Sequence, residues 1–214
     1  MRAGKVVLAV LLLLSGGCRR KAADPLTLHR AVGKADRARI LSLLAAGADI
    51  NARDPLGYTP LHVAVDADHK RMVDLLIAQG ANVDANEAPD GTPLHHAILY
   101  RHPGLVRSLL AVGANVNAKA SRTRITPLQL AFMFRQVEVV ALLLDGGADP
   151  DTRDEWNRTV LHAAAWGGDT ELAGLFLAHG AQVNANQALF EDSCEGRGSN
   201  MVECGLRAPT TLRR

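Results

Sequence analysis

Two tryptophans, two tyrosines and four phenylalanines are the only aromatic residues in a chain of 214. With rings this scarce, the position of each one carries information. An excess of one charge is also missing, since 24 Lys and Arg stand against 22 Asp and Glu. Arg2 and Lys5 account for the difference, and without residues 1–17 the two signs balance at 22 each. That balance argues against nucleic acid as the main ligand, because such binding rests on neutralising phosphates; it leaves room for a local basic patch. The longest apolar run, Val6 to Leu14, has nine residues, too few for the roughly 20 that span a bilayer. Cysteine is limited to Cys18, Cys194 and Cys204, with no Cys-x-x-Cys pair, so no catalytic redox motif is present. No Gly-rich phosphate loop, paired-carboxylate site or nucleophile elbow is visible, and Gly146-Gly147 has no lysine partner. The chain therefore reads as a protein other than an enzyme, without cofactor or metal.

The N-terminus has the order of an address. Arg2 and Lys5 give a short positive segment, the apolar run follows, and Ser15-Gly16-Gly17-Cys18 supplies small residues ending in a thiol. This order fits a signal peptide over residues 1–17. The small residues before Cys18 resemble the lipobox of bacterial lipoproteins, with Ser15 where Leu is usual. The resemblance implies that Cys18 becomes the lipidated first residue of the mature chain, its thiolate taking the acyl group. Several acyl chains, at roughly 0.8 kcal/mol per buried methylene, hold a protein at a membrane stably. Ordinary cleavage near Gly17 and an uncleaved anchor are the rival readings. Residues 18–23 then form a short tether, which places the remainder close to a bacterial envelope membrane and facing the periplasm. Arg19 follows Cys18, rather than the Asp that resembles an inner-membrane retention signal, which favours the outer membrane.

The strongest signal is internal repetition. Thr59-Pro60-Leu61-His62 returns 33 residues later as Thr92-Pro93-Leu94-His95, then 34 later as Thr126-Pro127-Leu128-Gln129, then 33 later as Thr159-Val160-Leu161-His162. Leu26-Thr27-Leu28-His29 is a degenerate first copy. Gly47-Ala48, Gly80-Ala81, Gly113-Ala114, Gly147-Ala148 and Gly180-Ala181 keep the same beat, including the one-residue slip. In copies two to five Thr caps the first helix. Pro is tolerated in its first turn in copies two to four and becomes Val160 in the fifth. Gly ends the second helix in a left-handed conformation. Leu61, Ala64 and Val65 fall on one helical stripe, and Met72, Val73, Leu75, Leu76 and Ile77 supply a second helix.

On these residues the chain resembles the ankyrin-repeat family over roughly residues 24–187. The resemblance implies an all-α solenoid of helix-turn-helix pairs with projecting hairpin loops. Five copies are expected, at about 24–52, 53–85, 86–118, 119–152 and 153–187, with residues 188–214 an irregular or disordered tail. No copy buries its apolar face alone, so neighbours must stack. Three departures matter. The hairpin glycine is Gly57 in the second copy, shifts to Gly91 in the third and becomes Asn157 in the fifth, where Asn tolerates positive φ. The fourth tip, Ala118 to Ile125, is one residue longer and lacks glycine, so a different shape is expected. The fifth copy keeps Leu172, Leu175, Phe176 and Leu177 in its outer helix and looks uncapped unless Leu189 and Phe190 fold back over it.

Eight histidines raise a metal hypothesis. His29, His62, His95 and His162 occupy the motif position, which in ankyrin families bonds the backbone of adjoining loops. Successive helices pack about 8–10 Å apart, whereas two nitrogens on one zinc lie within about 3.5 Å. A ladder of single histidines does not meet that spacing. His69, His102 and His179 are expected at the surface on one repeat lattice, and His96 elsewhere on its helix. Asp145, Asp149, Asp151 and Asp154 form an acidic patch, three of them at routine repeat positions. Cys194 and Cys204, ten residues apart, either form a disulfide in an exported tail or remain loose thiols.

Ankyrin proteins grip partners with hairpin tips and the exposed side of the inner helices. Carried onto this sequence, those positions hold Leu56, Tyr58, Leu99, Tyr100, Arg122, Ile125, Met133, Phe134, Arg153, Trp156, Arg158 and Trp166. Aromatic residues and Arg dominate binding hot spots. The alternative for the rings, Trp166 above all, is that they seal adjacent loops. Lys119, Arg122 and Arg124 in the fourth tip and Arg153 and Arg158 in the fifth, diluted by Asp154 and Glu155, suit an acidic rim on a partner. The expected function is a membrane-tethered, exported scaffold that is monomeric alone and binds one protein. The alternatives are an accessory, inhibitor or immunity protein for a periplasmic enzyme or toxin, and a secreted effector.

Overall fold

The computed structural model describes residues 25–86 and 90–183. Cys18 with the expected signal segment, Cys194 and Cys204, and Leu189 and Phe190 lie outside the described residues. Among the described residues the chain is all-α, ten short helices with no strand. They come in pairs, α1 (Pro25–Gly33) with α2 (Arg37–Ala45), α3 (Pro60–Asp66) with α4 (Lys70–Ala78), and α5 (Pro93–Leu99) with α6 (Pro103–Ala111). The last two pairs are α7 (Pro127–Met133) with α8 (Val137–Asp145), and α9 (Val160–Gly167) with α10 (Thr170–Ala178). The odd-numbered helices stack as an inner row and the even-numbered ones as an outer row. None of the described helices is long and apolar enough to cross a membrane.

The repeat places one core across all five pairs. Leu61, Leu94, Leu128 and Leu161 are buried in the inner row, and Leu76, Leu109 and Leu143 in the outer row. Ala64, Ala97, Ala131 and Ala164 are fully buried, the small side chain at this position allowing inner helices to approach closely. Burial at roughly 25 cal/mol per Å² of apolar surface drives the stacking, and a single continuous cluster runs from Leu28 to Ala181.

Motif histidines join the pairs. The Thr59 backbone N–H donates to His62 Nδ1 at 3.1 Å, and His62 Nε2 lies 3.1 Å from the Gly91 carbonyl of the next copy. Thr92 and His95 repeat the arrangement at 3.2 Å, with His95 Nε2 3.0 Å from the Ile125 carbonyl. An Nδ1 that accepts from an N–H is unprotonated, so Nε2 carries the proton and donates onward. Gln129 does the same with an amide, accepting from Thr126 N at 2.9 Å and donating to the Thr152 carbonyl at 3.4 Å.

A second ladder uses short polar side chains. Asn51, Asp84, Asn117 and Asp151 each accept the backbone N–H of the next copy, from Asn82, Asn115, Asp149 and Gln182, at 2.8–2.9 Å. Asp149 accepts from the Asp151 N–H at 2.9 Å, and Asp145 lies 3.3 Å from His179 Nε2. The acidic patch is thus spent on backbone turns and one histidine. His69 and His102 precede α4 and α6, but His179 follows α10, so the three do not share one repeat position.

The end of the stack differs from the expectation. Leu172 and Phe176 are fully buried, because their four-residue spacing turns both toward α8, and Phe176 packs against Phe132 at 5.9 Å. Only Leu177 of that group is substantially exposed. Positions that hold Val73, Val106 and Val140 in earlier copies hold Ala173 in the fifth, and those of Val65, Ile98 and Phe132 hold Ala165. Among the described residues, the face of the fifth copy that follows this pattern is trimmed to alanine.

Candidate functional site

The hairpin tips are built by local hydrogen bonding. Asp54 Oδ1 accepts the N–H groups of Leu56 and Tyr58, both at 2.9 Å, while Gly57 turns the chain at φ 90°. Asp154 does the same for Trp156 and Arg158, with Asn157 at φ 62°. The fourth tip has no such aspartate. Ala120 and Ile125 close it at 3.0 Å, and Arg124 takes the left-handed turn at φ 58°. It is held sideways instead, through Asn86 Nδ2 to the Lys119 carbonyl at 2.8 Å and Ser121 Oγ to the Asn86 carbonyl. The different shape of this longer loop follows from those bonds. In the third tip Gly91 is at φ 102°, and a Cβ there would stand 2.9 Å from Ala120 and from the His95 ring. The glycine moved because the motif histidine and the fourth tip crowd that point.

Among the twelve expected contact residues, five carry large exposed apolar surface: Trp166 at 92%, Leu56 and Trp156 at 65%, Met133 at 62% and Tyr100 at 48%. Trp166 therefore seals nothing. Tyr58 does seal, since it is half-buried and its hydroxyl donates to Asp90 at 2.8 Å. That bond, with burial added, pushes the Tyr58 phenol up to about 12. Leu99, Ile125 and Phe134 are also half-buried. Phe134 lies beneath the Arg101 guanidinium at 5.9 Å. Arg122 is exposed on the fourth tip. Arg153 donates to Asn157 at 2.9 Å, and Arg158 gives two bonds to Asp154 Oδ2 at 2.9 and 3.0 Å. Burial works to raise the Asp154 carboxyl, but the Arg158 and Trp156 bonds outweigh it and hold the group below its usual range. The Arg158 guanidinium also stacks 4.6 Å from the Trp156 ring, a cation–π brace that fixes the ring outward.

One buried group escaped the sequence reading. His96 is 1% exposed, with Nδ1 2.6 Å from Asp66 Oδ1. Its ring makes edge contacts with Tyr58 at 5.2 Å and His62 at 4.8 Å, and a tilted one with Tyr100 at 6.0 Å. Nε2 has no hydrogen-bond partner among the described residues. The corresponding positions in the next interface are Leu99 and Leu130, and in the last one Met133 and Ala163. An apolar pair has been replaced by an aspartate and a histidine at one junction. The signal was available as a polar residue, His96, where the other full copies hold Val63, Leu130 and Ala163. The small Ala163 opposite Met133 also accounts for the methionine standing open.

Stacked helix pairs with ordered tips are the architecture of the family described as "Ankyrin repeats (3 copies)", whose model matches residues 28–120 and 118–187. The chain belongs to the ankyrin-repeat family. Ankyrin repeats bind other proteins, and the family is typically non-enzymatic. Among similar proteins, the Nuclear factor NF-kappa-B p105 subunit of Rattus norvegicus is 36% identical over 81 residues, 38% of this chain and 8% of its own length. Ankyrin repeat and SOCS box protein 5 of Homo sapiens is 40% identical over 79 residues, 36% of this chain and 24% of its own. Protein PhlB of Serratia liquefaciens is 39% identical over 66 residues, 31% of this chain and 29% of its own. The ankyrin chain thus spans less than a third of the length of these relatives.

Proposed function

We propose that this ankyrin protein is exported, tethered to the bacterial envelope through Cys18, and holds one protein partner on its hairpin tips and inner-helix turns. The observation that carries the binding face is that both tryptophans of the chain stand exposed at variable repeat positions while the repeated positions hold aliphatic residues and alanine. Exposed rings offer large contact area at low entropic cost, and Arg158 braces one of them before any partner arrives. The tether rests on the apolar run and the small residues before Cys18.

Two measurements test the two halves. Cys18→Ser should release the protein from the membrane fraction and lower the N-terminal mass by the acyl groups; unchanged fractionation and unchanged mass would end the lipidation reading. The mature protein used as bait on its own envelope fraction should retain a stoichiometric protein, and Trp156→Ala should release it. A central ring buried by a partner costs at least about 2 kcal/mol of binding when cut to Ala. Retention of the partner at full affinity by Trp156→Ala and Trp166→Ala places the binding face elsewhere.

A further inference from the structure

We infer that the partner presents an acidic segment with apolar side chains, and that this segment seats on the fourth and fifth copies. The inference rests on the tips and inner turns being the binding face. Charge is distributed unevenly along that face. In the second copy its charged side chains include Asp54, Asp66 and Asp68. In the fourth tip they are Lys119, Arg122 and Arg124, all exposed, and none of the three forms an ion pair among the described residues. The positive groups around them are already balanced, Arg158 by Asp154 at 2.9 Å and Arg135 by Asp169 at 2.9 Å. On the fifth tip Arg153 and Glu155 offset each other in sign, so the surplus of positive charge is concentrated on the fourth loop.

The apolar anchors lie beside that loop in the repeat order. Met133 belongs to the inner turn of the same copy, and Trp156 and Trp166 to the tip and turn of the next. All three are more than half exposed. A basic patch alone would suit any polyanion. Here the cations flank large apolar surface. The bases of a single strand stack on such rings, but the chain's near-balance of 24 basic and 22 acidic residues disfavours a phosphate backbone. A peptide with Leu or Phe between carboxylates covers the surface with few charges. Arginine forks match carboxylates two bonds at a time, and the rings supply desolvated anchors between them.

The chain's two tryptophans are both on this surface, so intrinsic fluorescence reports its occupation directly. The test is selection of a random twelve-residue displayed library on the full chain, followed by titration of the selected synthetic peptides. The inference expects enrichment of Asp and Glu together with Leu, Phe or Trp, and a blue shift of tryptophan emission on binding. Arg122→Ser with Arg124→Asn, the Asn chosen because it accepts the left-handed turn, should weaken those peptides about tenfold. Trp166→Ala should weaken them at least as much, and both variants should retain the parent helical circular dichroism. Neutral or basic peptides that are still lost on Trp166→Ala would overturn the acidic partner and leave the binding face standing. Peptides indifferent to both variants, or a selection that enriches nothing, would overturn the face and the inference together. A single-stranded oligonucleotide of twenty bases that gives the same blue shift at lower concentration than any selected peptide would overturn the peptide in favour of nucleic acid.

Discussion

Replacing His95 by glutamine isolates one link between the copies and makes a pH-dependent forecast. Burial pushes the His95 imidazole down from 6.5 to about 4, with the Ile125 carbonyl bond opposing the shift. Above pH 6.5 the ring is neutral in both folded and unfolded chains and contributes no pH dependence. As the pH falls below 6.5 the unfolded chain takes up a proton that the folded chain refuses until about pH 4, so folding loses stability through that window. Linkage gives a loss of about 1.4 kcal/mol at pH 5.5 and about 2.5 kcal/mol at pH 4.5. The fourth copy supplies the replacement, since Gln129 makes the same two bonds without a titrating group. His95→Gln should therefore fold with stability within about 1 kcal/mol of the parent at pH 7.5. Urea denaturation followed by far-ultraviolet circular dichroism at pH 7.5, 5.5 and 4.5 would read both curves. The gap between parent and variant should close or reverse by about 2 kcal/mol on going to pH 4.5. Parallel loss of stability in the two proteins across that range would refute the argument that the buried, neutral ring is the acid-sensitive element.

Leu143→Ala, which opens a cavity in the fully buried outer row, should cost about 2–5 kcal/mol in the same denaturation assay. Trp166→Ala, by contrast, should change stability by less than about 0.5 kcal/mol, because an almost fully exposed ring has little folded-state contact to lose; a larger loss would make the ring structural. His96→Leu combined with Asp66→Leu copies the Leu99 and Leu130 pair of the next junction and should match or exceed the parent's stability, because both hydrogen-bonding partners are replaced by apolar groups together. Asp66→Ala should instead cost about 1–3 kcal/mol, since it leaves the buried His96 nitrogen without its acceptor, and calorimetric melting of both variants checks the contrast.

The 33-residue beat determined the helix pairs, the inner row of alanines and the ladder of motif histidines, because each is a local pattern repeated at a fixed interval and the stacking of like units leaves one way to bury it. It also located the exposed apolar side chains, since Trp156, Trp166, Met133 and Tyr100 occupy positions that the stack does not need. Contacts between copies were decided only in three dimensions. Tyr58 reads as an open tip residue until Asp90, 32 positions on, is seen to take its hydroxyl. His96 and Asp66 are 30 residues apart and become partners because one inner helix sets them side by side with the next. Leu172 and Phe176 read as an uncovered outer face, yet the direction of α10 turns them onto α8 and places Ala165 and Ala173 on the far side of the last described copy. A one-dimensional period fixes which residues are equivalent, while the side chain each one meets depends on how the neighbouring copy's own substitutions fill the space between them.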